Sequence, residues 1–303
     1  MKILVVGDSH GRRPRIHFKD FDAIICVGDV CYDRKMSKHY RGWFSYMKKN
    51  DRIDFKDYLK MKSVTKKMER EYDKFSLKGG RKILEYLNSF GKPVYFVPGN
   101  WDQSYGETNV DEDDENPYRR IKSLYDIYLA DRTNPKLIRG LKNIKDCQYQ
   151  LHTFGEINIL GYGLSSAPEN PRLRKKGKKI SGKQYERLKK HYGKIHEKLK
   201  KEYQKRNKKL PTIFLTHNVP YNTKIDRILN KGSSMYKKHW GSTVAREFCQ
   251  KYKPILCVGG HMHEHFGKDK IGKTAVMNAG YGRDANTLIE IRDGKLKKLS
   301  FHK

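Results

Sequence analysis

Cysteine is scarce in this sequence, and long apolar runs are missing. The five cysteines form an odd number, and no two of them stand at C-x-x-C spacing. This argues against a disulfide framework and for a reducing cytosol. No apolar run approaches about 18 residues, so no transmembrane helix is expected. The opening MKILVVGD reaches an aspartate too soon for a signal peptide, and we therefore predict a cytoplasmic protein.

Acidic residues are also few. The 34 Asp and Glu are outnumbered by 66 Lys and Arg, which gives a formal net charge of +32, and only 36% of the residues are hydrophobic. Such a charge attracts polyanions, including nucleic acid, anionic membranes and phosphorylated metabolites. A solvated, salt-bridged surface is the alternative explanation. Aromatic residues reach 12%, which argues against a disordered polyelectrolyte.

The excess positive charge lies in two segments. Residues 34–92 carry 18 basic and 7 acidic residues, and residues 172–209 carry 18 and 3. We predict helical insertions at about 34–92 and 168–210 in a single domain of residues 1–303. The second contains an apolar stripe at three- and four-residue steps: Tyr185, Leu188, Tyr192, Ile195, Leu199 and Tyr203. The stripe favours a helix packed on the core, and a basic arm for an anionic polymer is the alternative.

Five short apolar runs each end in residue types that bind metals. They lie within 2–11, 22–30, 93–102, 212–218 and 254–263, and none alternates cleanly with polar residues. This pattern predicts strands buried on both faces. In open α/β sheets, sites form beyond the carboxyl ends of such strands. Turn signals predict a second, partly antiparallel sheet from three further runs, INILGYG, KTAVMNAGYG and NTLIEIRDGKLKKLSF.

The residues at those strand ends combine carboxylate, imidazole and amide groups. They are Asp8, His10, Asp29, Asn100, His217, His261 and His263. Taken alone, GGHMHEHFG at 259–267 is equally consistent with a histidine-rich surface loop. The full set suits divalent transition metals such as Mn, Fe, Zn, Co or Ni. Since one ion needs about four to six ligands, seven ligands suggest two ions that share a carboxylate, for which Asp29 is suited.

The order of these motifs resembles that of the calcineurin-like metallophosphoesterase superfamily. GDSHG, GDV, GNWD, TH and GHMH follow its pattern of D-x-H, G-D, G-N, H and G-H-x-H over residues 8–263. The resemblance implies an α/β fold, a four-layer α/β/β/α sandwich of two mixed sheets that here carries the basic helical insertions. It also implies two ligand sets that share Asp29: Asp8, His10 and His263 for one ion, and Asn100, His217 and His261 for the other.

The resemblance also implies a reaction. A hydroxide that bridges the two ions would attack phosphorus in line, with Asp29, Asn100 and Asp102 as the catalytic residues. Asp102 is expected to orient a ligand histidine. If residues 259–263 are extended, His261 and His263 project to the same side and Met262 packs away from them. Asn278 is expected to hold backbone near the metals.

One departure from the superfamily concerns the residue after Asn100. Many members have a histidine there that orients substrate or protonates the leaving group, whereas this chain has Trp101. Tryptophan cannot donate a catalytic proton, which argues against simple monoesters with poor leaving groups. His239 and His265 are candidate replacement donors, and a loop role is the alternative for His265. Residues 225–240 are expected to form a lid on the substrate side.

Two further residues are candidates for substrate contact. Trp101 is expected to form a pocket wall or to stack on a nucleobase. Arg12 is expected either to reach a phosphate through a bidentate contact or to face solvent. We therefore predict a binuclear metal-dependent phosphohydrolase, more a phosphodiesterase than a monoesterase, that acts on a nucleotide or nucleic-acid phosphate. The alternatives are a broad phosphomonoesterase, a non-catalytic scaffold of the same fold and a nucleic-acid-binding protein.

Overall fold

Two mixed six-stranded sheets form the centre of the fold in the computed structural model. The structure describes residues 1–32, 34–47, 50, 53–102, 137–173, 180–233 and 235–303. The first sheet has the order β12-β11-β1-β2-β3-β4. Its strands are β1 Lys2–Val6, β2 Ala23–Cys26, β3 Val94–Phe96, β4 Ile144–Asp146, β11 Asn286–Arg292 and β12 Lys295–His302. Strands β1 to β4 are parallel, and β11 and β12 are antiparallel additions.

The second sheet has the order β5-β6-β7-β8-β10-β9. Its strands are β5 Leu151–Phe154, β6 Ile157–Tyr162, β7 Thr212–Asn218, β8 Leu256–Gly260, β9 Gly267–Ile271 and β10 Thr274–Asn278. Strands β6, β7, β8 and β10 are parallel, whereas β5 and β9 pair antiparallel at the edges. Both sheets therefore have a parallel centre, and the carboxyl ends of the parallel strands within each sheet share one edge.

Alternate side chains along each central strand point to opposite faces of the sheet, so each sheet packs against the other sheet on one face and against helices on the other. In β1, Ile3 and Val5 pack into a core cluster that contains side chains of both sheets. Leu4 and Val6 pack instead with Leu84 and other residues of a helix outside the first sheet. Each fully buried aliphatic side chain of this kind contributes about 1.5–3 kcal/mol. With further helices covering the second sheet, the predicted four-layer sandwich is confirmed.

The hairpin β11–β12 corrects one part of the prediction. The run NTLIEIRDGKLKKLSF was expected in the second sheet, but β11 pairs antiparallel with β1 of the first. The turn at Asp293 and Gly294 was recognised correctly, and both residues have positive φ, at 53° and 66°. The local signal identified the hairpin, whereas its partner was decided by a strand at the opposite end of the chain. INILGYG and KTAVMNAGYG do lie in the second sheet, as β6 and β10.

Five helices are present in the described part of the chain. They are α1 Arg34–Met47, α2 Phe55–Met61, α3 Lys66–Asn88, α4 Gly182–Gln204 and α5 Thr243–Tyr252. The hydroxyl of Ser181 accepts a hydrogen bond from the Gln184 N–H, which caps the start of α4. Its apolar stripe turns inward, with Ile195, Leu199 and Tyr203 buried. The interpretation of a helix packed on the core is thus confirmed.

The other basic insertion contains α1, α2 and α3. Helix α3 buries Leu84 and Leu87 against the first sheet, whereas α1 contains no buried residue. Parts of both insertions, including 174–179, lie outside the described residues, and the single domain of 1–303 stays a prediction. All five cysteines are free and buried. Within the described ranges, every helix is too short or too polar to span a bilayer.

Candidate metal centre

The predicted ligands lie at or just beyond the carboxyl ends of β1, β2, β3, β7 and β8, with His217 among the last residues of β7 and the others in the following loops. Three of them adopt left-handed backbone conformations, with φ of 46° at His10, 48° at Asp29 and 65° at His261. Non-glycine residues rarely adopt such angles, and these conformations cluster at functional sites. The turns after the strands therefore bend the chain so that these side chains converge.

The first group of candidate ligands consists of Asp8, His10, Asp29 and His263, whose ligand atoms lie within 4.8 Å of one another. His10 Nε2 is 3.1 Å from His263 Nε2. Asp8 Oδ2 is 3.2 Å from His263 Nε2, and Asp29 Oδ2 is 3.5 Å from His10 Nε2. Imidazole nitrogens and carboxylate oxygens thus point at a common position, as the first coordination sphere of a divalent cation requires.

The second group consists of Asp29, His217 and His261, again within 4.8 Å. His217 Nε2 lies 3.4 Å from Asp29 Oδ2 and 2.9 Å from Asn100 Oδ1, so the amide oxygen of Asn100 joins this group. Asp29 belongs to both groups. The structure therefore brings all seven residues together and divides them into two sets that share one carboxylate.

The packing around the carboxylates tests whether a cation fits. Among the described residues, Asp8 Oδ1 is buried without a hydrogen-bond partner, and a bound cation would satisfy it. Glycines press against both acids: a Cβ at Gly99 would come within 2.1 Å of Asp29 Oδ1, and one at Gly260 within 2.3 Å of Asp8 Oδ1. The donor set and this tight cradle fit two divalent ions.

Backbone carbonyls orient two of the histidines. His217 Nδ1 lies 2.8 Å from the carbonyl oxygen of Val27, to which it donates, so its Nε2 faces Asp29 and Asn100. His261 Nε2 lies 3.1 Å from the carbonyl oxygen of Ser166, which leaves Nδ1 as its lone-pair nitrogen. Contacts of this type behind a ligand fix the ring and its tautomer.

The charges within the centre are strongly coupled. Burial raises the pKa of Asp29, but the nearby His217 and His10 outweigh burial and hold that pKa below its ordinary value. Burial lowers the pKa of His217, but the Asp29 carboxylate outweighs it and raises the pKa to about 10. Burial, and then the charge of His217, lower the pKa of His261 to about 4. Without cations, a proton on His217 therefore balances Asp29.

Metal binding at pH 7 is expected to release about one proton from His217, because a metal ion must displace the proton on Nε2. His261 is already neutral and contributes none. Calorimetric titration of chelator-stripped protein with Mn²⁺, in buffers of different ionisation enthalpy, measures the number released. The variant His217→Gln should release about one proton fewer on metal binding than the wild type does. An equal release by wild type and variant would contradict the assignment.

The prediction that residues 259–263 form one extended segment is wrong. Strand β8 ends at Gly260, after which the Met262 N–H donates to the Gly260 carbonyl and the His263 N–H to the His261 carbonyl, at 2.7 and 2.9 Å. These two tight turns, rather than the alternation of a strand, orient His261 and His263 toward different ligand groups.

Met262 is buried among the core residues outside the second sheet, as predicted. Asn278 donates from Nδ2 to the Met262 carbonyl, so its expected backbone role is confirmed.

Asp102 does not orient a ligand histidine through its carboxylate. That side chain is fully buried and accepts hydrogen bonds from the N–H groups of Gly99, Cys31 and Val30, at 2.8, 2.9 and 3.4 Å. Burial, and then the charge of Asp29, raise its pKa. Asp102 therefore ties the loop after β3 to the loop after β2, which are the loops that carry Asn100 and Asp29.

The predicted substrate residues occupy different places. The backbone N–H of Trp101 donates to Asp29 Oδ1 at 2.9 Å. The centre of the Trp101 ring lies 5.7 Å from the ring centre of Tyr40 in α1. The exposed Arg12 guanidinium lies 5.9 Å from the ring centre of Tyr281. Trp101 and Arg12 are therefore near the ligand groups, and their contact with substrate stays a prediction.

The two candidate proton donors are held by the loop of residues 225–240. His239 Nδ1 is 2.5 Å from Asp226 Oδ1. His265 contacts the Arg227 carbonyl oxygen at 2.7 Å. Neither histidine belongs to the two ligand groups, and the donor role and the lid stay predictions. The loop after β8 therefore supports the 225–240 loop beside the metal centre.

The sequence interpretation missed Tyr281. Its ring stacks on His263, with ring centres 4.1 Å apart and 21° between the planes, and it meets His10 edge-on at 5.3 Å. Tyr281 thus supports two of the candidate ligands from one side. The sequence shows only an aromatic residue between two glycines, which is too weak a signal to place it there.

Comparisons with known proteins identify the family of this chain. The family model of calcineurin-like phosphoesterases matches residues 1–265. One crystal structure superimposes with a TM-score of 0.56 at 16% identity, over 98% of this chain and 97% of that chain. At this level of identity, the superposition shows a shared fold and does not bear on activity or substrate. None of the curated proteins matches this chain.

Two further crystal structures are more distant. A protein from Thermus thermophilus has a TM-score of 0.43 at 13% identity, over 98% of this chain and 96% of that chain. A putative 5'-nucleotidase from Staphylococcus aureus, in complex with alpha-ketoglutarate, has a TM-score of 0.40 at 12% identity. This chain covers 53% of that protein. Neither similarity is strong enough to bear on substrate.

Proposed function

The chain belongs to the calcineurin-like phosphoesterase family and is a metal-dependent phosphoesterase, and we propose that its substrates are phosphodiesters of nucleotides or nucleic acids. Members of the family use a binuclear metal centre. We propose that the ligands here are the two groups that share Asp29, with Asp8, His10 and His263 on one side and Asn100, His217 and His261 on the other.

The roles of the side chains follow from their positions. Two bound divalent ions would supply Lewis-acid polarisation of the phosphoryl group and a water activated for attack. Asp29 would serve as a ligand in both groups, and the backbone N–H of Trp101 keeps its carboxylate in place. Val27 and Ser166 hold the imidazoles of His217 and His261 through backbone carbonyls. These contacts are made before substrate arrives, so little reorganisation is needed during the reaction.

An aromatic cluster beside Asp29 carries the diester proposal. The Trp101 ring meets Tyr40 edge-on, and Tyr40 stacks on Phe55 with ring centres 3.9 Å apart. Tyr40 and Phe55 belong to the basic insertion of 34–92, which has 18 basic and 7 acidic residues. Aromatic rings among basic side chains are typical of surfaces that stack bases and follow a phosphate backbone.

The residue type at position 101 supports the same choice. An indole cannot protonate an alkoxide, so a poor leaving group would depart without help from this position. The missing acid argues against simple monoesters with poor leaving groups and leaves diesters open. The sugar alkoxide released from a nucleic-acid diester would take its proton from another loop, for which His239 and His265 are the candidates.

Bis-p-nitrophenyl phosphate is expected to be hydrolysed with a kcat/KM about tenfold above that for p-nitrophenyl phosphate, a difference of about 1.4 kcal/mol. The two rates are to be measured with Mn²⁺, Ni²⁺, Zn²⁺ and Mg²⁺. The variant Trp101→His introduces an imidazole that can act as an acid, and it should raise the rate with phenyl phosphate, whose poor leaving group needs a proton, more than the rate with p-nitrophenyl phosphate. Preference for the monoester by the wild type would refute the diester assignment, and inertness with every metal would contradict the activity itself.

A further inference from the structure

A cavity of about 160 Å³ lies between the loop after β6 and helix α4. Its apolar walls are formed by rings and aliphatic chains: Tyr149, Tyr162, Leu188, Tyr192 and Ile195. Three of these five belong to the inward stripe of α4, the helix of the second basic insertion. The stripe therefore does more than cover the sheet, because its N-terminal half encloses a space.

Hydrogen bonds at the hydroxyl groups position two of the three aromatic walls, Tyr162 and Tyr192. The Tyr162 hydroxyl donates to Glu169 Oε1 at 3.3 Å, and the Tyr192 hydroxyl donates to Glu247 Oε1 at 2.7 Å. Glu169 accepts in turn from the Thr243 N–H at 2.8 Å, at the N-terminus of α5, where the helix dipole favours a negative charge. With both phenols anchored, the cavity is largely formed before any ligand binds.

The cavity adjoins the candidate metal centre. Ser166 lines it, and the carbonyl oxygen of the same residue lies 3.1 Å from His261 Nε2. The Leu164 N–H, from the same loop, donates to the Pro98 carbonyl at 2.8 Å, two residues before Asn100. The loop of residues 163–166 thus forms a wall of the cavity and also contacts the segments that carry Asn100 and His261.

We propose that this cavity is a subsite for one pyrimidine-sized ring of the phosphodiester substrate, an inference that rests on the proposed function. A cavity of about 150 Å³ lined by apolar side chains holds a benzene ring, so the volume suits a single six-membered ring. Polar side chains also line the space, among them Gln148, Ser165 and His191. They suit a ring with hydrogen-bonding edges better than an alkyl group.

Filling the cavity tests the proposal. Thymidine carries a pyrimidine ring and no phosphate, so its binding to the metal-loaded protein can be measured by NMR titration without hydrolysis. Leu188→Trp places a large ring in the cavity and is expected to weaken thymidine binding at least about tenfold, about 1.4 kcal/mol. Lys189→Trp, on the exposed face of the same helix, is the matched control and should bind as the wild type does. Equal binding by Leu188→Trp and the control would overturn the proposal.

Enlarging the cavity gives a second test that does not depend on how the tryptophan variant folds. Leu188→Ala removes side-chain volume from one wall, so this variant should keep thymidine and bind deoxyadenosine more tightly than the wild type does. An unchanged preference between the two nucleosides would overturn the proposal.

Inhibition separates a substrate subsite from an unrelated pocket. Thymidine should inhibit hydrolysis of bis-p-nitrophenyl phosphate competitively in the wild type, and Leu188→Trp should lose this inhibition. A non-competitive pattern would overturn the subsite assignment. If thymidine binds in the cavity but no diester is hydrolysed with any metal, the proposed function fails while the ring site stands, so the two failures are distinguishable.

Discussion

Replacing Asp29 with asparagine is expected to lower kcat/KM for bis-p-nitrophenyl phosphate by about 10³-fold or more, a loss of about 4 kcal/mol in transition-state stabilisation. Asp29 belongs to both ligand groups, so this substitution removes a charge from both proposed metal positions at once. An asparagine keeps the acceptor for the Trp101 N–H but offers a single neutral oxygen in place of a carboxylate. We therefore expect the bound metal to fall below two ions per chain.

Two measurements check this result. Steady-state kinetics give kcat/KM, and elemental analysis of the dialysed protein gives the number of bound ions. Asp20→Asn is a suitable control, because Asp20 is exposed and pairs with Lys2 at the surface, and it should leave both values unchanged. Two tightly bound ions and a nearly normal rate in Asp29→Asn would show that this carboxylate does not bridge them.

Replacing Asp102 with alanine is expected to lower the free energy of unfolding by about 3–5 kcal/mol. Its carboxylate accepts from three buried N–H groups, those of Gly99, Cys31 and Val30. Each donor left without a partner costs about 1–3 kcal/mol, and the total is reduced because burying the carboxylate is itself unfavourable. Urea unfolding monitored by circular dichroism measures the change.

An exposed aspartate provides the comparison for this effect. Asp57→Ala, in α2, removes an exposed carboxylate that pairs with Lys60, and such surface changes stay within about 0.5 kcal/mol. A lower urea midpoint for Asp102→Ala than for Asp57→Ala would support the role of Asp102 as a tie between the loops after β2 and β3. If Asp102→Ala has the same urea midpoint as the wild type but is less active, Asp102 takes part in the reaction and does not stabilise the two loops.

The motif order and the strand pattern were sufficient to predict the site in outline. A run of buried β-branched residues has the same meaning wherever it stands in the chain, and a ligand-type residue at its end is visible locally. Seven such positions, including Asp8, Asn100 and His217, could therefore be selected before any contact was known. The apolar stripe of α4 was visible for the same reason, since its period of three to four residues is a local property.

Features that depend on pairing between distant segments were not predictable in this way. The hairpin β11–β12 joins β1 rather than the second sheet, and Asp102 binds backbone from the loop after β2. Tyr281 reaches His263 by stacking. In each case several partners satisfy the local pattern, and only the packing of both sheets selects one.

The amino-acid sequence by itself determined which residues are strands, which of them end in ligand types and which helix face is apolar, because these are periodicities of neighbouring residues. The tertiary structure alone decided that Tyr281 stacks on His263, that two tight turns orient His261 and His263 toward different groups, and that α4 leaves a cavity beside His261. These three features depend on contacts between residues that are far apart in the chain. Such contacts form only when the two sheets pack face to face, and the burial of apolar surface favours one packing arrangement over the others.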